Sequence, residues 1–99
     1  MERVVKVKYN GKEVEVVLRK ISWLKAQKLI GESTILEENK RKLDLEKLRV
    51  NLVKYAIKEI KGADVKSVER FLDEIDFEEG NKILEVALEL NPLERIIAV

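Results

Sequence analysis

Five carboxylates fall within one short stretch: Asp73, Glu74, Asp76, Glu78 and Glu79. They form the densest set of hard oxygen donors in the chain, so metal binding and acid–base chemistry are considered there first. A calcium loop needs ligands at alternate positions, a glycine at its sharp turn and a closing glutamate. Here Ile75 and Phe77 fall between the acids, and Gly80 comes at the wrong offset. Two carboxylates flanking a substrate could serve general acid–base catalysis, but nothing beside them signals a cleft. The competing reading is a junction between two helices, where acids near a helix N-terminus are stabilised by its dipole.

A second candidate is basic. Lys47, Lys54, Lys58 and Lys61, with Asn51 between them, recur on the polar side of a helical pattern and could dock on phosphates. Glu46 and Glu59 interrupt the series, and no glycine-rich phosphate loop occurs in the chain. Tyr55 lies near the edge of the neighbouring apolar stripe, which does not suggest base stacking. A solvated helix face explains the same residues.

Other chemistries are removed by composition. The 99 residues contain no histidine and no cysteine. Disulfides, thiolate nucleophiles, Ser-His pairs and imidazole- or thiolate-based zinc sites are therefore excluded. Lys and Arg number 20 against 19 Asp and Glu, a net charge of +1, so no global field draws in nucleic acid. The chain is expected to be no enzyme, to need no cofactor, and to act by binding. The Lys/Glu-rich profile, with one Met and no Cys, is that of heat-adapted proteins.

The elements that would position these groups follow from periodicity and punctuation. Val5, Val7 and Tyr9 alternate with Lys6 and Lys8, Asn10-Gly11 supplies a type I′ turn, and Val14, Val16 and Leu18 resume the alternation. This is a β-hairpin with lysines facing glutamates across its outer surface. Ser22 is an N-cap for a short helix carrying Trp23, Ala26, Leu29 and Ile30, which ends at Gly31. Residues 32–43 have little apolar content and read as a mobile connection. From the Asp44 cap to Gly62, the residues Leu45, Leu48, Leu52, Val53, Ala56, Ile57 and Ile60 trace one apolar stripe and predict a long helix. Ser67 starts a third helix with Val68, Phe71, Leu72 and Ile75. Asp76 and Glu79 form a capping-box-like start to a fourth, with Phe77, Ile83, Leu84, Ala87 and Leu88 as its stripe. Asn91-Pro92 stops it.

Two features are candidate partner contacts. Trp23 is the single tryptophan, and it reads either as an anchor between hairpin and helices or as an exposed hot spot. Leu93, Ile96, Ile97 and Val99 form an apolar end that must pack back on the domain or meet a partner. The expected architecture is α+β, an N-terminal β-hairpin packed on a bundle of about four α-helices, with residues 1–99 as a single domain. No apolar run approaches the ~20 residues needed to span a bilayer, and the cytoplasm is the expected compartment.

The order of these features resembles the tail assembly chaperones of tailed phages and related prophages, small proteins encoded between the tail-tube and tape-measure genes. The resemblance covers nearly the whole chain. A strand pair ends in Val17-Leu18-Arg19-Lys20 before Trp23, and an amphipathic helix leads to Ile60-Lys61-Gly62-Ala63-Asp64-Val65. Then come Phe71-Leu72-Asp73-Glu74-Ile75-Asp76 and a helix from Ile83 that closes on Leu90-Asn91-Pro92. The resemblance implies a non-enzymatic, prophage-derived protein that keeps a helical tape-measure protein soluble while tail-tube subunits polymerise around it. It implies a protein partner, tape-measure-like or tail-tube-like, and the chain is also expected to self-associate. The alternative is a small nucleic-acid-associated regulator using Lys47, Lys54, Lys58 and Lys61.

Overall fold

A computed structural model describes residues 1–97. The class is α+β, with an N-terminal antiparallel hairpin and five helices among the described residues. Strands β1 (Glu2–Tyr9) and β2 (Lys12–Arg19) pair in the register set by the Asn10-Gly11 turn, whose φ values are +51° and +76°. Lys6 faces Glu15 and Lys8 faces Glu13 on the outer surface. Val7, Val14, Val16 and Leu18 form the buried face. Helix α1 (Trp23–Glu32) starts at Ser22, whose side chain accepts from the Lys25 N–H.

Residues 32–43 are not an irregular connection. They form a second hairpin, β3 (Thr34–Glu37) and β4 (Lys40–Leu43), turning through Glu38 and Asn39 at φ +51° and +63°. Glutamate rarely takes this conformation, which is why the turn has no Asn-Gly-like signature. Ser33, fully buried, anchors the hairpin. Its Oγ donates to the Leu29 carbonyl at 2.7 Å and accepts from Asn51 Nδ2 at 3.1 Å, while its own carbonyl accepts from the Asp44 N–H at 2.8 Å.

The long helix expected over 45–61 is the second correction. Helix α2 spans only Leu45–Ala56, and the chain continues directly as strand β5 (Ile57–Lys61), which pairs with β2 to complete a three-stranded sheet β1-β2-β5. A bulge explains both the observation and the misreading. Glu59 lies opposite Val17 and Ile57 opposite Leu18, so Lys58 is an extra residue on its strand. In a regular strand, residues three apart face opposite sides. The bulge cancels that inversion and turns Ile57 and Ile60 to the same core. Their spacing, which suits one face of a helix, also suits one face of a bulged strand. Gly62 follows at φ +97°, with its backbone against Glu13 and Val14.

Helices α3 (Val68–Glu74), α4 (Phe77–Leu90) and α5 (Leu93–Ile97) complete the chain. One core cluster joins the sheet to Val53, Ala56, Phe71, Ile83 and Ala87; a second gathers Leu29, Leu48, Leu52 and Ile96. Ser67 caps α3 as expected, but Asp76 makes no side-chain capping bond. Glu79 instead turns to the sheet edge. Its Oε1 accepts from the Lys8 N–H at 2.8 Å, and Lys82 Nζ lies 2.7 Å from its Oε2. An edge-strand donor is thereby satisfied by a nearly buried carboxylate.

The Lys82 ammonium and the Lys8 N–H hold the Glu79 carboxyl below the usual carboxylate range, outweighing its desolvation. A depressed folded-state pKa contributes stability above the unfolded-state pKa, and this is lost as pH falls through the folded value. The melting temperature is therefore expected to drop on the acid side of the carboxylate range. Glu79→Gln should melt lower than wild type at neutral pH and lose less on acidification. Parallel acid limbs in wild type and variant would show that Glu79 does not carry the effect.

Candidate partner-binding cleft

Two of the candidate partner residues, Trp23 and Ile96, line the same cleft, between the start of α1 and the end of α4 with α5. Its volume is about 310 Å³, and its walls include Lys20, Ile21, Ala26, Leu90, Asn91 and Arg95. One side chain ties two of its walls together. Asn91, buried at the C-terminus of α4, accepts from the Ile21 N–H at 2.9 Å through Oδ1. Its Nδ2 donates to the carbonyls of Arg19 (3.1 Å) and Ala87 (3.2 Å). The amide therefore serves as a backbone surrogate, fixing the β2–α1 connection against α4.

Trp23 is the correction with the greatest bearing on function. It does not anchor the core: it is 74% exposed, and Leu24 beside it is 58% exposed. Helical phase gives the reason. Leu29, the buried residue of α1, lies six positions on, so Trp23 points roughly 120° away round the helix. That phase relation was present in the sequence as a signal. Tryptophan is costly to leave in water and is enriched at interface hot spots.

The apolar C-terminal residues divide. Ile96 is buried in the second core cluster and Leu93 packs partly against it, so both hold α5 to the domain. Ile97 is 44% exposed. Val99 lies outside the described residues.

The basic candidates are not brought together. Lys47 and Lys54 are on α2, whereas Lys58 and Lys61 lie on β5. Lys54 pairs with Glu69, Lys58 with Glu2 at 2.6 Å, and Lys61 with Glu59. The single helix face that would have presented four cations does not exist. The acidic stretch is divided as well: Glu74 bonds Tyr9 and Arg70 while Glu79 reaches β1.

No family model, curated protein or solved structure matches this chain.

The chemistry available there is that of recognition. An aromatic plane stands at the rim beside aliphatic walls, with the cations Lys20 and Arg95 among the lining residues. Neither cation takes part in an ion pair among the described residues. Lys20 and Arg95 had no distinguishing signal in the sequence, because only the fold brings them to one cleft. No helix among the described residues is long and apolar enough to cross a membrane.

Proposed function

We propose that this protein is a non-enzymatic assembly factor that binds a helical protein partner, of the kind implied by its resemblance to phage tail assembly chaperones. One observation carries the reading: Trp23, 74% exposed, lines a cleft whose walls include Ile21, Ala26, Leu90 and Ile96. An amphipathic helix laid along that opening would bury its apolar face against Trp23 and the aliphatic wall, and its acidic flank would meet Lys20 and Arg95. Such a partner is a tape-measure-like helical protein held soluble before tail-tube subunits enclose it. The work would be done in the cytoplasm and would involve no cofactor.

Because Trp23 is largely exposed, its removal separates binding from folding. Trp23→Ser is expected to melt within about 0.5 kcal/mol of wild type, as exposed positions generally do. It is expected to lose at least tenfold in partner affinity, since truncating a hot-spot aromatic typically costs 2 kcal/mol or more. The check is co-expression with a tape-measure-type protein, followed by the soluble yield of that protein and the affinity of the pair. Equal yield with wild type, with Trp23→Ser and with no chaperone would refute the reading.

A further inference from the structure

A second surface lies where α4 meets α2 and α3. Phe77 is 82% exposed at the first turn of α4. Along the same helix face, Gly80 and Leu84 line a groove of about 210 Å³ whose opposite wall is Val50 and Val53 of α2, with Leu72 of α3 at one side. Val50 is itself 53% exposed. The groove therefore has an apolar floor and, one helical turn away, a large aromatic with nothing to cover it.

Gly80 stands on the α4 side of the groove. Glycine inside a helix costs about 1 kcal/mol relative to alanine. Yet a Cβ there would meet only Ile75, at an ordinary 3.6 Å, so no internal contact demands glycine.

We infer that the occupant is a second copy of this chain, joined through a two-fold axis near Gly80 and Asn81. The face is complementary to itself in shape. Phe77 and Leu84 lie at nearly equal distances on either side of that point, so two antiparallel α4 helices place each Phe77 in the other copy's groove. It is also complementary in charge. Phe77 stands between Asp76 and Glu78, whereas the groove wall carries Arg49. None of these three charges is in an ion pair among the described residues. The acids that flank each inserted ring meet the partner copy's cation, and the arrangement closes after two copies. This surface is separate from the Trp23 cleft and does not depend on the function proposed for it.

The test is the mass in solution, by light scattering on a sizing column at high micromolar concentration. Wild type should show twice the mass of one chain, and so should Trp23→Ser. Phe77→Ser and Arg49→Glu should each run with the mass of one chain and an unchanged far-ultraviolet spectrum, since both residues are exposed. Combining Arg49→Glu with Glu78→Arg should restore the doubled mass. Wild type at the mass of a single chain, or a doubled mass that survives Phe77→Ser, would overturn the inference.

Discussion

Phe71→Ala is expected to lower stability by about 3–5 kcal/mol, the range for deleting a buried phenylalanine ring. Phe71 is fully buried and is the sole buried residue of the seven-residue helix α3. Its ring lies 4.9 Å from that of Tyr9, so one side chain ties α3 to the edge strand β1. A helix of two turns has almost no stability of its own, and without this anchor α3 should leave the sheet. Tyr9 would lose its ring partner in the same step, while its hydroxyl bond to Glu74 depends on α3 staying in place. At roughly 4–8 °C per kcal/mol for a domain of this size, the melting temperature should fall by on the order of 20 °C. Phe77→Ala is the internal control. The two residues have the same chemistry and lie six positions apart, yet Phe77 is 82% exposed and its loss should change monomer stability by about 0.5 kcal/mol or less. Equal effects from the two substitutions, measured by urea denaturation, would show that the α3 packing described above is wrong.

Asn91→Ala should have the second largest effect, about 3 kcal/mol. Three hydrogen bonds disappear, each worth about 1 kcal/mol net, and the Ile21 N–H and Arg19 carbonyl are left without that partner in a part-buried site. Asn91→Asp discriminates this from a simple packing loss. The aspartate can still accept from the Ile21 N–H, but its second oxygen would face two carbonyl oxygens where the amide donated. At neutral pH it should therefore be at least as damaging as alanine. A carboxyl whose charged form is disfavoured by the fold has a raised pKa, so the variant should regain stability as acidification protonates it. Thermal melts of both variants across the carboxylate range check this. An Asn91→Asp variant as stable as wild type at neutral pH would remove the hydrogen-bond account. Because Asn91 also lines the Trp23 cleft, both substitutions are expected to weaken partner binding along with stability.

These two residues also show how far the chain could be read without its fold. Asn91 was legible as a helix stop because proline follows it, yet its work as a clamp on Arg19 and Ile21 requires neighbours some seventy positions away. Phe71 and Phe77 were both placed on apolar stripes. Both stripes face the core through Phe71, Ile83 and Ala87, but Phe77, at the first turn of α4 and roughly 120° round the helix from Ile83, is left 82% exposed.

What the sequence by itself determined was local. Asn-Gly with strict alternation produced the first hairpin, because a type I′ turn and a two-residue period act within neighbouring residues. Ser22, Asp44 and Ser67 began their helices because each cap side chain bonds a backbone N–H two or three residues on. The cleft residues Trp23 and Ile96 were named on the same local grounds, one as a rare aromatic and the other as part of an apolar end. The tertiary structure decided everything that depends on a distant partner. Ile57 and Ile60 are compatible with a helix or a bulged strand, and the open edge of β2 selected the strand by supplying hydrogen bonds that a lone segment lacks. That choice dispersed the lysines, so the basic face vanished with the helix that would have carried it. Glu79 left its expected cap because the unpaired Lys8 N–H was a better-placed donor. Arg95 joined Lys20 and Trp23 at one cleft only when α5 packed through Ile96 on the second core cluster. Capping and turn energies act over a few residues and can be read along the chain, whereas burial and strand pairing are settled between segments that meet only in the fold.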